Sequence, residues 1–83
     1  MSGAMINVLY FAHVAELTKT REEQWPLPQA LTGADWLAQL ELRYPQLSPI
    51  KRLKLAVNQY HVGHDSLIKP GDEVAVFEPV TGG

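Results

Sequence analysis

Apolar residues in this 83-residue chain fall into short groups whose spacing runs from two, to three or four, and back to two. Met5-Ile6-Asn7-Val8-Leu9-Tyr10-Phe11 is rich in β-branched and aromatic residues and puts apolar groups on both pleat faces, which predicts a central first strand. Val14 and Leu17, three apart, predict one helical turn or more over 13–18. Glu22 to Leu27 alternates loosely around Trp25 and is stopped by Pro26 and Pro28, as expected of a strand near a sheet edge. Thr32-Gly33-Ala34-Asp35 then opens the main helix. Thr32 can accept a hydrogen bond from the first turn, and Asp35 holds the place of a capping-box acid. Trp36, Leu37, Leu40 and Tyr44 form the buried stripe, while Gln39, Glu41 and Arg43 fall mostly off it. Pro45 ends the helix, and Pro49 keeps the next segment irregular.

Leu53 to Asn58 predicts a third strand, with Leu53, Leu55 and Val57 on one face. Asn58-Gln59 suits a tight turn into a short strand, Tyr60-His61-Val62. Lys69-Pro70-Gly71-Asp72 puts Pro and Gly at the central positions of a type II turn. Glu73-Val74-Ala75-Val76-Phe77 is the last strand, and Pro79 stops it. The order predicts one α+β domain over 1–83, with about five strands and one main helix across one face of the sheet. No repeat or linker divides it. Residues 79–83 are expected to form a flexible tail; at ~3.3 Å per extended residue they would span about 16 Å.

Composition narrows the chemistry. The apolar fraction is 46%, which is ordinary for a globular domain. Seven Lys and Arg against nine Asp and Glu give a net charge of −2, which argues against nucleic acid as the main partner. No apolar run approaches the ~20 residues of a membrane helix. No signal peptide is visible in Met1-Ser2-Gly3-Ala4, and Met5 is an alternative original start with residues 1–4 as an extension. These features suit a cytoplasmic protein. The absence of cysteine excludes disulfides and a thiolate metal site. His61 and His64, with His13 elsewhere, do not make a metal-binding pattern, so no metal is expected. Lys51, Arg52 and Lys54 read as a solvated basic cluster, and Asp72, Glu73 and Glu78 as turn and surface acids. No phosphate loop, nucleophile elbow or His-Glu metal motif is present, so the chain by itself is expected to be inert.

The chain closes on Pro79-Val80-Thr81-Gly82-Gly83. A glycine pair loses much entropy on ordering and adds nothing to a fold. It does give a tail without Cβ atoms, able to thread a narrow channel and present its carboxyl carbon.

Val8-Leu9-Tyr10-Phe11-Ala12 with Glu16-Leu17, then Ala56-Val57-Asn58-Gln59, then Gly71-Asp72-Glu73-Val74-Ala75-Val76-Phe77 running into Pro79-Val80-Thr81-Gly82-Gly83, together resemble the MoaD family, the small subunits of molybdopterin synthase. The likeness runs from Met5 to the end and is least diagnostic over 20–54. It implies the ubiquitin-like β-grasp fold, with a mixed sheet, and a sulfur-carrier role. An adenylating enzyme of the ubiquitin-activating type would use ATP to join AMP transiently to Gly83, with no cofactor held permanently. A sulfur donor protein would then form a thiocarboxylate. The tail, Pro79, Val80, Thr81 and Gly82, would enter the large subunit, where two sulfur transfers convert cyclic pyranopterin monophosphate into the dithiolene of molybdopterin. The resemblance also implies a heterotetramer of two small and two large subunits, and a hydrophobic partner contact through Phe77 and Phe11. His61 stands where relatives can carry an aliphatic interface residue. Competing readings are a Gly-Gly sulfur carrier for thiamine thiazole synthesis, a ubiquitin-like protein modifier, and a plain β-grasp interaction module.

Overall fold

The computed structural model describes residues 4–79. Strand β1 (Met5–Tyr10) buries Ile6, Val8 and Tyr10, every second residue, as a pleat requires. A seven-residue helix, α1 (Ala12–Thr18), follows. β2 (Glu22–Pro26) returns antiparallel to β1, with Trp25 opposite Ile6. Then come β3 (Leu31–Thr32), the main helix α2 (Gly33–Arg43), and two 3₁₀ turns, Pro45–Leu47 and Ile50–Arg52. β4 (Lys54–Val57), β5 (Tyr60–Val62), β6 (Leu67–Ile68) and β7 (Glu73–Phe77) complete the described order.

Five strands form one mixed sheet in the order β2-β1-β7-β4-β5. β7 lies parallel to β1, with Val74 beside Val8 and Val76 beside Tyr10. On its other side it runs antiparallel to β4, pairing Val74 with Val57 and Val76 with Leu55. β2 takes an edge, where the missing N–H of Pro26 leaves no ladder bond unmade. Trp36, Leu37 and Leu40 of α2 are fully buried against the inner face of this sheet. Trp36 meets Trp25 edge to face, with ring centroids 5.7 Å apart.

Three expectations shift. β2 stops at Pro26, so Leu27 lies outside the strand, though it is buried and its amide donates to Ala4 O at 2.7 Å. β4 covers only 54–57, because Leu53 closes a 3₁₀ turn and Asn58 enters the hairpin turn. A separate two-stranded ribbon of β3 and β6 stands beside the five expected strands. Two-residue strands carry no period for a sequence reading to detect.

The loop leading into that ribbon secures the start of α2. The Gly33 amide donates to Ser66 O and the Ala34 amide to His64 O, both at 2.8 Å. The Asp35 amide donates to the Thr32 hydroxyl at 3.1 Å, as the cap reading required. Three of the helix's orphan donors are thereby satisfied. Both turns also form. Asn58 and Gln59 have φ of 52° and 74°, the primed turn that matches strand twist. Gly71 has φ of 93°, and the Asp72 amide donates to Lys69 O at 3.0 Å, closing the type II turn.

The Glu23 carboxylate ties the edge of the sheet to the end of α2. It accepts from the Tyr10 hydroxyl at 2.5 Å and the Tyr44 hydroxyl at 3.0 Å, with Arg43 at 3.5 Å. Burial, then the hydrogen bond to Glu23, pushes the Tyr10 phenol far above its ordinary range; the same two causes raise Tyr44. Both phenols therefore hold their protons more tightly folded than unfolded. The stabilisation is complete below about pH 10 and is lost as pH rises beyond it. Urea midpoints measured through that range should fall, and the fall should be shallower in Tyr10→Phe.

Gly33 gives a second test. A Cβ there would lie 2.6 Å from Leu55 Cδ1 and 3.2 Å from His64 O. Gly33→Ala, which helix propensity alone favours, is expected to cost roughly 1–3 kcal/mol in urea unfolding because the helix start is already in contact.

Candidate functional site

The alternation along β7 sends Val74 and Val76 into the core and Ala75 and Phe77 to the opposite face. That outer face is the candidate site. Leu9 stands beside Ala75 in the parallel register. Just past β1, the Phe11 amide donates to Val76 O at 3.3 Å, extending the ladder one rung. Phe11 and Phe77 thus reach the same end of the sheet on adjacent strands. Phe11 is 49% exposed, and Phe77 is half-buried.

Across β4, Ala56 pairs with both Ala75 and His61. Its methyl side chain leaves room for the rings of His61 and Phe77 to meet, with centroids 5.2 Å apart at 49°. An open depression of about 450 Å³ lies beside them, lined in part by Lys54, Val62, Glu78 and Pro79. An apolar body with an imidazole rim suits contact with a partner protein.

Glu78, the next residue after β7, makes the contacts that sequence reading missed. Its carboxylate accepts from His13 Nδ1 at 3.2 Å and pairs with Arg52. The hydrogen bond with His13, aided by Arg52, holds the Glu78 carboxyl below the usual carboxylate range. The three residues lie too far apart in the chain for spacing to reveal the cluster.

Of the expected tail, Pro79 is described; Val80, Thr81, Gly82 and Gly83 lie outside the described residues. The three histidines have separate engagements: His13 with Glu78, His61 with Phe77, and His64 Nε2 with Leu53 O at 2.7 Å. Asp72 and Glu73 serve the turns. Asp72 accepts from the Lys69 amide at 2.9 Å, and the Glu73 amide donates to the Asn58 side chain at 3.0 Å. Of the basic cluster, Arg52 pairs with Glu78, while Lys51 and Lys54 are exposed. Among the described residues no helix is long and apolar enough to cross a membrane.

A mixed sheet whose central parallel pair is β1 and β7, crossed by α2 and open on the other face, defines a ubiquitin-like β-grasp protein. The sequence pattern of the ThiS family matches residues 8–83. The molybdopterin synthase sulfur carrier subunit of Homo sapiens is 38% identical over 82 residues, covering 94% of this chain and 93% of that protein. Its counterpart in Escherichia coli K12 is 40% identical over 83 residues, covering 95% and 100%. The fold also matches a chain in the protein–protein complex of subunits 1 and 2 of molybdopterin-converting factor from Helicobacter pylori, with a TM-score of 0.64, 18% identity and coverage of 95% and 99%. The chain belongs to the ThiS family and, within it, to the molybdopterin synthase sulfur carrier subunits, the MoaD family.

The outer-face aromatics should behave as surface residues. Phe11→Ala is expected to change unfolding stability by less than about 1 kcal/mol and Phe77→Ala by about 1–2, against about 3–5 for Trp36→Ala. Urea unfolding checks this; a Trp36-sized loss at Phe77 would make it a core residue.

Proposed function

We propose that this chain is the sulfur carrier subunit of molybdopterin synthase, and that Gly83 is the residue that carries the sulfur. The observation that carries the reading is the match to the sulfur carrier subunits along the chain, including all of the Escherichia coli relative. The geometry of the described residues agrees with it. The central strand ends at Phe77, beside an exposed aromatic face, so a partner gripping that face would also meet the root of residues 79–83.

The chemistry follows from what a carboxylate lacks. It is a poor electrophile, so an adenylyltransferase of the ubiquitin-activating type joins the Gly83 carboxylate to the α-phosphate of ATP, and pyrophosphate leaves. The acyl-adenylate has AMP as a good leaving group. The terminal sulfur of a persulfide on a sulfur donor protein attacks the acyl carbon, and AMP departs. A second thiol, outside this chain, then cleaves the acyl disulfide, leaving the thiocarboxylate on Gly83 and a disulfide on the donor side. No side-chain thiol of this chain is needed, in keeping with a chain that has no cysteine.

The loaded segment then enters the large subunit. Gly82 and Gly83 have no side chain to obstruct a narrow channel, while Pro79, Val80 and Thr81 stiffen the approach. Phe77, Phe11 and His61 form the contact that holds the globular part outside. Sulfur passes to cyclic pyranopterin monophosphate, and two such transfers build the dithiolene. Two small and two large subunits form the working assembly. AMP is a transient adduct at Gly83, and the carrier retains no cofactor.

Deleting Gly82 and Gly83 should abolish molybdopterin formation with the large subunit and leave the urea midpoint of the carrier unchanged. The C-terminal peptide of protein from cells with active cofactor synthesis should show one oxygen of Gly83 replaced by sulfur. Retained synthesis by the truncated chain would overturn the reading.

A further inference from the structure

We propose that Glu78 is a positioning residue: with His13 and Arg52 it forms an ionic clamp that holds the root of the C-terminal segment in one direction before a partner binds. The proposal rests on the carrier function above. It adds a role for three residues that the sulfur chemistry does not involve.

The clamp begins where other restraints end. The last ladder partner of β7 is Lys54, opposite Phe77. Val74 and Val76, on the inner side, are fixed by the core. Glu78 is the next residue on that side, and the core has ended. In place of apolar packing it offers a carboxylate, which two separate elements take up. His13 comes from α1, and Arg52 from the 3₁₀ turn preceding β4. Two donors from different directions fix the side chain more firmly than one would.

The backbone is restricted at the same point. Pro79 has a fixed φ, and its ring confines Glu78 to extended conformations. Side-chain anchoring and backbone restriction therefore act on consecutive residues. Together they set where Pro79 stands, and with it the starting point of 80–83.

The clamp contributes little to stability. The His13 and Arg52 side chains are 51% and 42% exposed, and exposed ion pairs are weak. Its effect lies in association. A segment whose root is already aimed loses less freedom when it enters a channel. That gain appears in the affinity for the partner and leaves the transfer step unchanged.

The test uses the full-length thiocarboxylated chain with the molybdopterin synthase large subunit and its pterin substrate. Glu78→Gln is expected to raise the KM for the carrier roughly three- to fivefold, with kcat within about twofold. Arg52→Ala should give a similar rise, and the double variant should be no worse than either single change, as befits one unit. The heteronuclear NOE of the Glu78 amide should fall in both single variants. An unchanged KM, a loss confined to kcat, or fully additive losses would overturn the clamp. If the wild-type chain transfers no sulfur, the carrier reading fails instead. The amide measurement then decides the clamp alone, and an unchanged NOE in Glu78→Gln would refute it.

Discussion

Much of this structure depends on the placement of β7 between β1 and β4. That strand contributes Val74 and Val76, both fully buried, to the core beneath α2. Its parallel pairing with β1 and antiparallel pairing with β4 join two hairpins, β1–β2 and β4–β5, into one sheet. Its alternate residues, Ala75 and Phe77, form the middle of the open face. Core, sheet continuity and candidate site thus share five residues. The arrangement also means that the C-terminal segment leaves from the interior of the sheet, where both neighbouring strands hold its root. A segment leaving from an edge strand would have one.

Two carboxylates do related work at opposite ends of this design. Glu23 is mostly shielded and gathers the hydroxyls of Tyr10 and Tyr44, with Arg43 lying over the rings of Trp25 and Tyr44. It joins the sheet edge to the end of α2 in a place where an unpaired charge would be costly. Glu78 does its joining at the surface, between α1, a 3₁₀ turn and the end of β7. Solvent screens that link, so it directs the chain more than it stabilises it.

The elements with a clear period were legible in the sequence. β7 and the Trp36, Leu37 and Leu40 stripe of α2 bury what their spacing indicates, and Thr32 caps α2 as its position implies. Tyr44, the residue that closes the helix, is half-buried, and β1 buries only Ile6, Val8 and Tyr10 of its two apolar faces. Pro and Gly marked the turns because they fix or free φ, and Asn58-Gln59 succeeded with a weaker signal. The β3–β6 ribbon was not legible, since its two-residue strands exist through tertiary contact with the start of α2. Phe77 was recognisable as an aromatic on a strand, whereas Phe11, expected at the end of the first strand, lies one residue past β1 as the N-cap of α1; their exposure follows from which face α2 covers. The tilted contact of His61 with Phe77 follows from the small residue at Ala56 between their strands. Nothing local to Glu78 announces His13 or Arg52 as its partners; only the three-dimensional register does.

The central position of β7 also governs the order in which the molecule can assemble. The strands made first, β1 and β2, have no neighbour beyond each other until residues 73–77 exist, and the same holds for β4 and β5. Isolated two-stranded hairpins are marginal in water. The inner faces of both hairpins, and the stripe of α2, therefore stay incompletely covered while the chain is being synthesised. Closure is a late, long-range event of the kind that slows folding. It also imposes a sequence of readiness, because the strand that completes the sheet is the one that leads into residues 79–83. A chain too short to fold is also too short to present that segment.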